Sequence, residues 1–116
     1  MLKRDKRLRR ERDIDRVYRA GRFGGGKNMT VKYLPNGFSG SRVAIVVSKK
    51  ISKRAVVRNR IKRRLAEIIR ESWQTVRPGY DIVISVRSDV SNEAAPALRE
   101  ELIGALRRCG VIETKG

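Results

Sequence analysis

The chain contains no histidine and one cysteine, Cys109. Without an imidazole it can build neither a His-based triad nor an imidazole acid/base pair, and a zinc site of Cys/His type is equally out of reach. A lone cysteine also excludes a disulfide within the chain. No apolar run approaches the roughly 20 residues needed to span a bilayer. The N-terminus is basic but no apolar stretch follows it, so it does not read as a secretory signal, and the cytoplasm is the expected location. Acids are scarce: 12 Asp and Glu stand against 29 Lys and Arg, for a formal net charge of +17. A hydrophobic content of 40 % still excludes a wholly disordered tail, and 116 residues suffice for one domain with a modest core.

The charge is unevenly spread. Residues 49–70 hold ten bases and one acid, Glu67. Residues 1–22 hold ten bases and four acids, whereas residues 81–113 hold four bases and six acids and read as scaffold. A solvated helix face would mix its signs. A surface this basic repels itself and calls for a polyanion, and arginine suits phosphate because its planar fork donates bidentate hydrogen bonds. The composition therefore points to nucleic acid. Within the basic run Val57, Ile61, Leu65 and Ile68 recur at helical spacing, one apolar stripe that anchors a helix and leaves its other faces to guanidinium groups. Asn59, Arg63 and Arg70 lie opposite the stripe, with Arg60 and Arg64 on one flank and Arg58 and Lys62 on the other.

Residues 1–116 read as a single RNA-binding domain, with 1–10 a basic, mobile arm. Glu11 to Ala20 reads as a short helix stopped by Gly21. A glycine-rich turn with room for a short strand covers Arg22 to Lys27, and Met29 to Leu34 alternates as a strand before the turn Pro35-Asn36-Gly37. Arg42 to Ser48 is a second strand, with Ala44, Val46 and Ser48 on a face roomy enough for a groove and Val43, Ile45 and Val47 suited to a core. The basic helix spans about Val56 to Ser72, and Tyr80 to Val86 is the last strand. A final helix, capped by Ser91 or Asn92, runs to Arg108 with Pro96 in its first turn. Its apolar stripe ends at Cys109, which reads as a core thiol, and Trp73 reads as packing. The order α-β-β-β-α-β-α implies an α/β sandwich, one sheet with helices packed on it.

Gly21 to Asn28 nearly matches a phosphate-binding P-loop. The hydroxyl that would hold magnesium is replaced by Asn28, and the glycines follow a helix where a P-loop follows a strand. Nucleotide hydrolysis is excluded on that ground, and the segment reads as a turn.

Three stretches carry a family resemblance. Arg7 to Gly21 is similar to a helix pattern R-L-x-x-x-x-D-F-x-x-V-F-x-x-G; V-K-Y-L-P is followed by R-V-A-I-V-V-S-K-K; and A-V-V-R-N-R-I-K-R holds Arg58-Asn59-Arg60 at the expected gap after Ser48-Lys49-Lys50. The chain resembles the protein subunit of bacterial ribonuclease P. The resemblance implies one mixed sheet with a left-handed βαβ crossover, a ribosomal protein S5 domain 2-like fold. It implies an accessory subunit of an endoribonuclease, with no catalytic residue and no metal in this chain. Catalysis is by the RNA subunit, which uses magnesium ions to remove the 5′ leader of precursor tRNA. The implied partners are that catalytic RNA and the leader, with no membrane and no small-molecule substrate. Arg58, Asn59, Arg60, Lys62 and Arg63, with Lys50, Lys53 and Arg54, are then expected on the catalytic RNA. Tyr18, Ile14, Lys32, Ala44, Val46, Ser48 and Lys49 are expected in a leader groove between the first helix and the sheet.

The chain departs from the pattern at three positions. Ile14 and Tyr18 stand where the family has two Phe, and Ala66 where many members carry Arg. The rival reading is a structural RNA-binding protein of ribosomal type. An independent nuclease lacks a carboxylate cluster, since Asp5, Glu11, Asp13 and Asp15 sit among bases where local ion pairs are expected.

Overall fold

A computed structural model describes residues 2–113 of the protein. Helix α1 (Glu11–Ala20) precedes strands β1 (Arg22–Gly25), β2 (Met29–Pro35) and β3 (Arg42–Val46). Helix α2 (Ala55–Glu71), strand β4 (Tyr80–Val86) and helix α3 (Ala95–Cys109) complete an α+β sandwich. The four strands form one mixed sheet in the order β1-β2-β4-β3. Strands β1, β2 and β4 pair antiparallel, while β3 runs parallel to β4 and is joined to it through α2.

The sheet is covered unequally. On one face Met29, Val31, Val43, Ile82, Ile84 and Val86 meet Ile61, Leu65, Ile68 and Ile69 of α2 and Leu98, Leu102, Ala105 and Leu106 of α3. Each such Val, Leu, Ile or Met side chain contributes about 1.5–3 kcal/mol by leaving water, so this is the main core. The expected stripe of α2 packs here, with Val57 partly buried at its start. On the other face α1 buries Val17 against Ala44, Val83 and Leu8. Strand β4, apolar at nearly every position, is central and covered on both faces, whereas β3 is an edge. Among the described residues no helix is long and apolar enough to cross a membrane.

The expected bounds of α1 and β4 match those observed, and β1 is the short strand allowed for in the glycine-rich segment. Four details differ or sharpen. Helix α3 starts at Ala95 from Ala94, which supplies no side-chain cap. Ser91 is buried instead, its carbonyl taken by Arg60 and Arg64. Strand β3 ends at Val46, leaving Ser48 beyond it. Gly21 stops α1 in an extended conformation (φ −74°), where a Cβ would crowd the Val17 carbonyl. The described residues 2–10 of the segment read as a mobile arm over 1–10 follow the β3 edge: Leu8 N–H donates to the Val43 carbonyl at 2.9 Å, and Leu2 and Leu8 are buried in the cores on opposite faces.

Candidate nucleic-acid interface

A groove of about 620 Å³ runs along the β3 edge. Ala44 and Val46 form its floor, Ile14 of α1 with Leu8 and Arg9 forms one side, and α2 forms the other with Val56, Asn59, Lys62, Arg63 and Ala66. The helical repeat explains that wall: positions 56, 59, 63 and 66 share a face roughly opposite the core stripe. Among the described residues, the side chains of Asn59, Lys62 and Arg63 have no partner, and all three line the open side of the channel. Hydrogen-bond donors therefore face an apolar floor across an open channel. Ala66, where many members of the resembled family carry arginine, adds a methyl group to the same wall.

At the mouth of the channel α2 begins without a cap. Arg54 occupies the cap position with no side-chain hydrogen bond, and the first turn has no acid. The positive end of the helix dipole is thus left among Lys49, Lys50, Lys53 and Arg54, all exposed. That arrangement opposes folding by electrostatics alone and favours an incoming phosphate. Arg58 closes the loop before the helix by donating from Nη1 to the Ser52 carbonyl at 2.9 Å.

The structure brings Ile14, Ala44 and Val46 together in the groove. Tyr18 lies one turn further along α1, outside the groove lining, with its hydroxyl 2.9 Å from Ser85 Oγ. Lys32 Nζ sits 5.2 Å from the Tyr18 ring centre and donates to the Tyr18 carbonyl at 3.2 Å. Ser48 and Lys49 stand just past the end of β3. The groove is therefore not simply the space between α1 and the sheet, because α2 supplies a whole wall of it.

The arginines of α2 divide into two groups. Arg60 Nε donates to the Ser91 carbonyl at 3.0 Å, and Arg64 Nη1 donates to the carbonyls of Val90 and Ser91 at 3.1 and 2.9 Å. Arg64 Nη2 also donates to the Glu93 carbonyl. These two side chains tie α2 to the β4–α3 loop, which leaves Arg60 only its remaining donors for any ligand. Glu67 pairs with Arg70 and Glu71 with Arg99.

Elsewhere the sequence candidates fall into structural roles. The P-loop-like segment is the β1–β2 hairpin, and Asn28 donates to Glu101 from its backbone and its side chain at 2.6 and 2.8 Å. A Cβ at Gly24 would stand 2.5 Å from Cys109 Sγ, so the glycine permits α3 to approach. Cys109 packs on the core, and burial pushes its thiol pKa up. Trp73 is partly buried, with Lys6 Nζ 5.2 Å from its ring centre. Among the described residues no three His, Cys, Asp or Glu side chains group as metal ligands would.

Sequence reasoning missed a second basic recess. Asp81 is fully buried and accepts Arg42 Nε and Nη2 at 2.9 and 2.7 Å and Asn36 Nδ2 at 3.0 Å. The hydrogen bond to Asp81 raises the pKa of Arg42 above its ordinary value. The signal available was a lone acid near the start of a mostly apolar strand.

Comparison with known proteins agrees with this architecture. The family described as Ribonuclease P matches residues 2–110. The ribonuclease P protein component of Caldanaerobacter subterraneus subsp. tengcongensis is 34 % identical over 109 residues, covering 94 % of this chain and 93 % of the relative. That of Pseudanabaena sp. is 36 % identical over 113 residues, covering 97 % of each. Among solved structures, the RNase P protein of Thermotoga maritima superposes with a TM-score of 0.81 at 32 % identity, covering 93 % of this chain and 98 % of that one. The Staphylococcus aureus RNase P protein superposes with a TM-score of 0.84 at 25 % identity, with the same coverages. The chain belongs to the ribonuclease P protein component family.

Proposed function

We propose that this chain is the protein subunit of a ribonuclease P holoenzyme acting in the cytoplasm, binding the catalytic RNA and the 5′ leader of precursor tRNA. The observation that carries the reading is the two-sided chemistry of the β3 groove. Its floor (Ala44, Val46) and the Ile14 side suit the faces of unpaired bases, and the opposite wall offers unpartnered donors to phosphates from Asn59, Lys62 and Arg63, which the family resemblance assigned to the catalytic RNA and which this reading gives to the leader because they line the groove. Single-stranded RNA presents both surfaces at once. The uncapped start of α2, with Lys50, Lys53, Arg54 and Arg58, faces the catalytic RNA. Ser48 and Lys49 stand at the groove's end, and Tyr18 and Lys32 extend it along α1.

In this role the protein contributes no reacting group. Magnesium ions held by the RNA subunit supply the Lewis acid and the activated water for leader hydrolysis. The groove residues hold and orient the leader, which raises the share of binding energy available at the cleavage site. The test is precursor-tRNA cleavage by a bacterial ribonuclease P RNA at low magnesium, with and without this protein. Restored removal of the leader supports the reading. RNA binding with unchanged cleavage replaces it with a structural RNA-binding role. Tyr18→Ala is expected to weaken precursor binding and to spare mature tRNA; equal loss for both would move Tyr18 out of the leader site.

A further inference from the structure

The second recess, about 470 Å³, lies where residues 4–10 meet the β2–β3 loop. It is lined by six arginines (Arg4, Arg7, Arg9, Arg10, Arg16 and Arg42) against two carboxylates, Asp5 and Asp13. Asp13 is engaged by Arg42 at 3.5 Å. Among the described residues Arg4, Arg9 and Arg10 have no ion pair, and Arg7 Nε is screened from solvent without an acceptor. An acceptor brought by a ligand would relieve that cost.

One wall of the recess is aromatic. Phe38 is 61 % exposed at the tip of the loop. It is held there by a built scaffold. Asn36, buried beneath the loop, accepts from Phe38 N–H at 2.7 Å and donates from Nδ2 to the Gly40 carbonyl at 3.1 Å. The Arg42 guanidinium, itself fixed by Asp81, lies 5.0 Å from the ring centre. One face of Phe38 is therefore backed by a cation, and the other is open.

We infer that Phe38 and its surrounding arginines form a nucleotide subsite for single-stranded RNA. In it the open face of the ring stacks a base and Arg4, Arg9 and Arg10 take the adjoining phosphates. Duplex RNA fits poorly, because a ring can stack only on a base that has left its helix. The recess is continuous with the β3 groove, since Arg7 and Arg9 line both. A strand lying in the groove thus runs on into the recess. The inference rests on the leader-binding reading and deepens it: nucleotides of the leader beyond those in the groove belong to this subsite.

The test uses the reconstituted holoenzyme and a series of precursors whose leaders lengthen one nucleotide at a time. Wild-type affinity is expected to rise again at a leader length greater than the groove holds. Stacking on an aromatic side chain is worth about 1–3 kcal/mol per base, and an exposed ring lies at the low end, so the rise is about five- to tenfold. Phe38→Ala should erase that rise and leave short-leader affinity and cleavage unchanged, while Phe38→Trp should keep it. The exposed ring belongs to neither core, so the variants keep the fold, and circular dichroism checks that they do. Identical length profiles for wild type and Phe38→Ala overturn the subsite, as does a wild type whose affinity never rises past the groove. A Lys62→Ala/Arg63→Ala variant reads the groove separately. Loss there with Phe38→Ala silent overturns the subsite alone, whereas silence of both overturns the leader-groove reading as well.

Discussion

Replacing Asp81 by asparagine should cost this protein about 3 kcal/mol of stability. The carboxylate is fully buried at the start of the central strand, and it accepts two hydrogen bonds from Arg42 and one from Asn36. Arg16 stands 3.6 Å away on α1. An asparagine has one carbonyl in place of two acceptor oxygens, and its amide would point a donor at a guanidinium that has only donors. Removing one partner of a buried ion pair typically costs about 3–5 kcal/mol, because the surviving charge is left unpaired. Arg42 keeps some solvent access, at 23 % exposed, and keeps Asp13, so the low end applies.

Urea unfolding followed by the fluorescence of the single tryptophan measures the loss. With slopes of about 1–3 kcal/mol per M, the midpoint should fall by about 1–3 M. A double-mutant cycle with Arg42→Gln isolates the pair, and the double variant should lose less than the two single losses added together. A loss below about 1 kcal/mol, or strict additivity, would refute the reasoning. It would mean that the Arg42 guanidinium is adequately solvated without the Asp81 carboxylate.

Neighbouring arginines on α2 should behave oppositely. Arg64→Ala, which removes hydrogen bonds to three carbonyls, should cost about 1.5–3 kcal/mol and speed amide exchange around the β4–α3 loop, whereas Arg63→Ala should leave stability within about 0.5 kcal/mol. For RNA binding the order reverses. Lys62→Ala and Arg63→Ala should each weaken binding and flatten its salt dependence by about 0.7 in slope for each phosphate no longer neutralised, a plot of log affinity against log salt deciding it. Cys109 should alkylate slowly at pH 8 in the folded protein and at an ordinary thiol rate in urea. Burial raises the thiol pKa, so the reactive thiolate fraction is lower when folded; equal rates in both states would refute the burial.

Much of the architecture is local and was therefore legible. Periodicity alone identified the stripe Val57, Ile61, Leu65 and Ile68, because a helix repeats its faces every few residues whatever it packs against. The Val43/Ile45 and Ala44/Val46 faces of β3 followed from strand alternation in the same way, and the +17 charge with its clustering pointed to a polyanion without any coordinates. Contacts between distant segments were not legible. Arg60 and Arg64 resemble Arg63 in sequence, but their partners are backbone carbonyls of residues 90–93, which every sequence contains and none advertises. Leu2 and Leu8 enter two different cores, a placement set by the edge of β3 and not by any period in the basic arm. The wall that α2 lends to the groove, and the meeting of Phe38, Arg42 and the N-terminal arginines, depend on strand order and on where the chain crosses the sheet. Composition and period determined what kinds of surface this protein has. Tertiary structure decided which charges are spent on the fold and which are left for RNA, because only the packed chain sets the distances over which hydrogen bonds and ion pairs act.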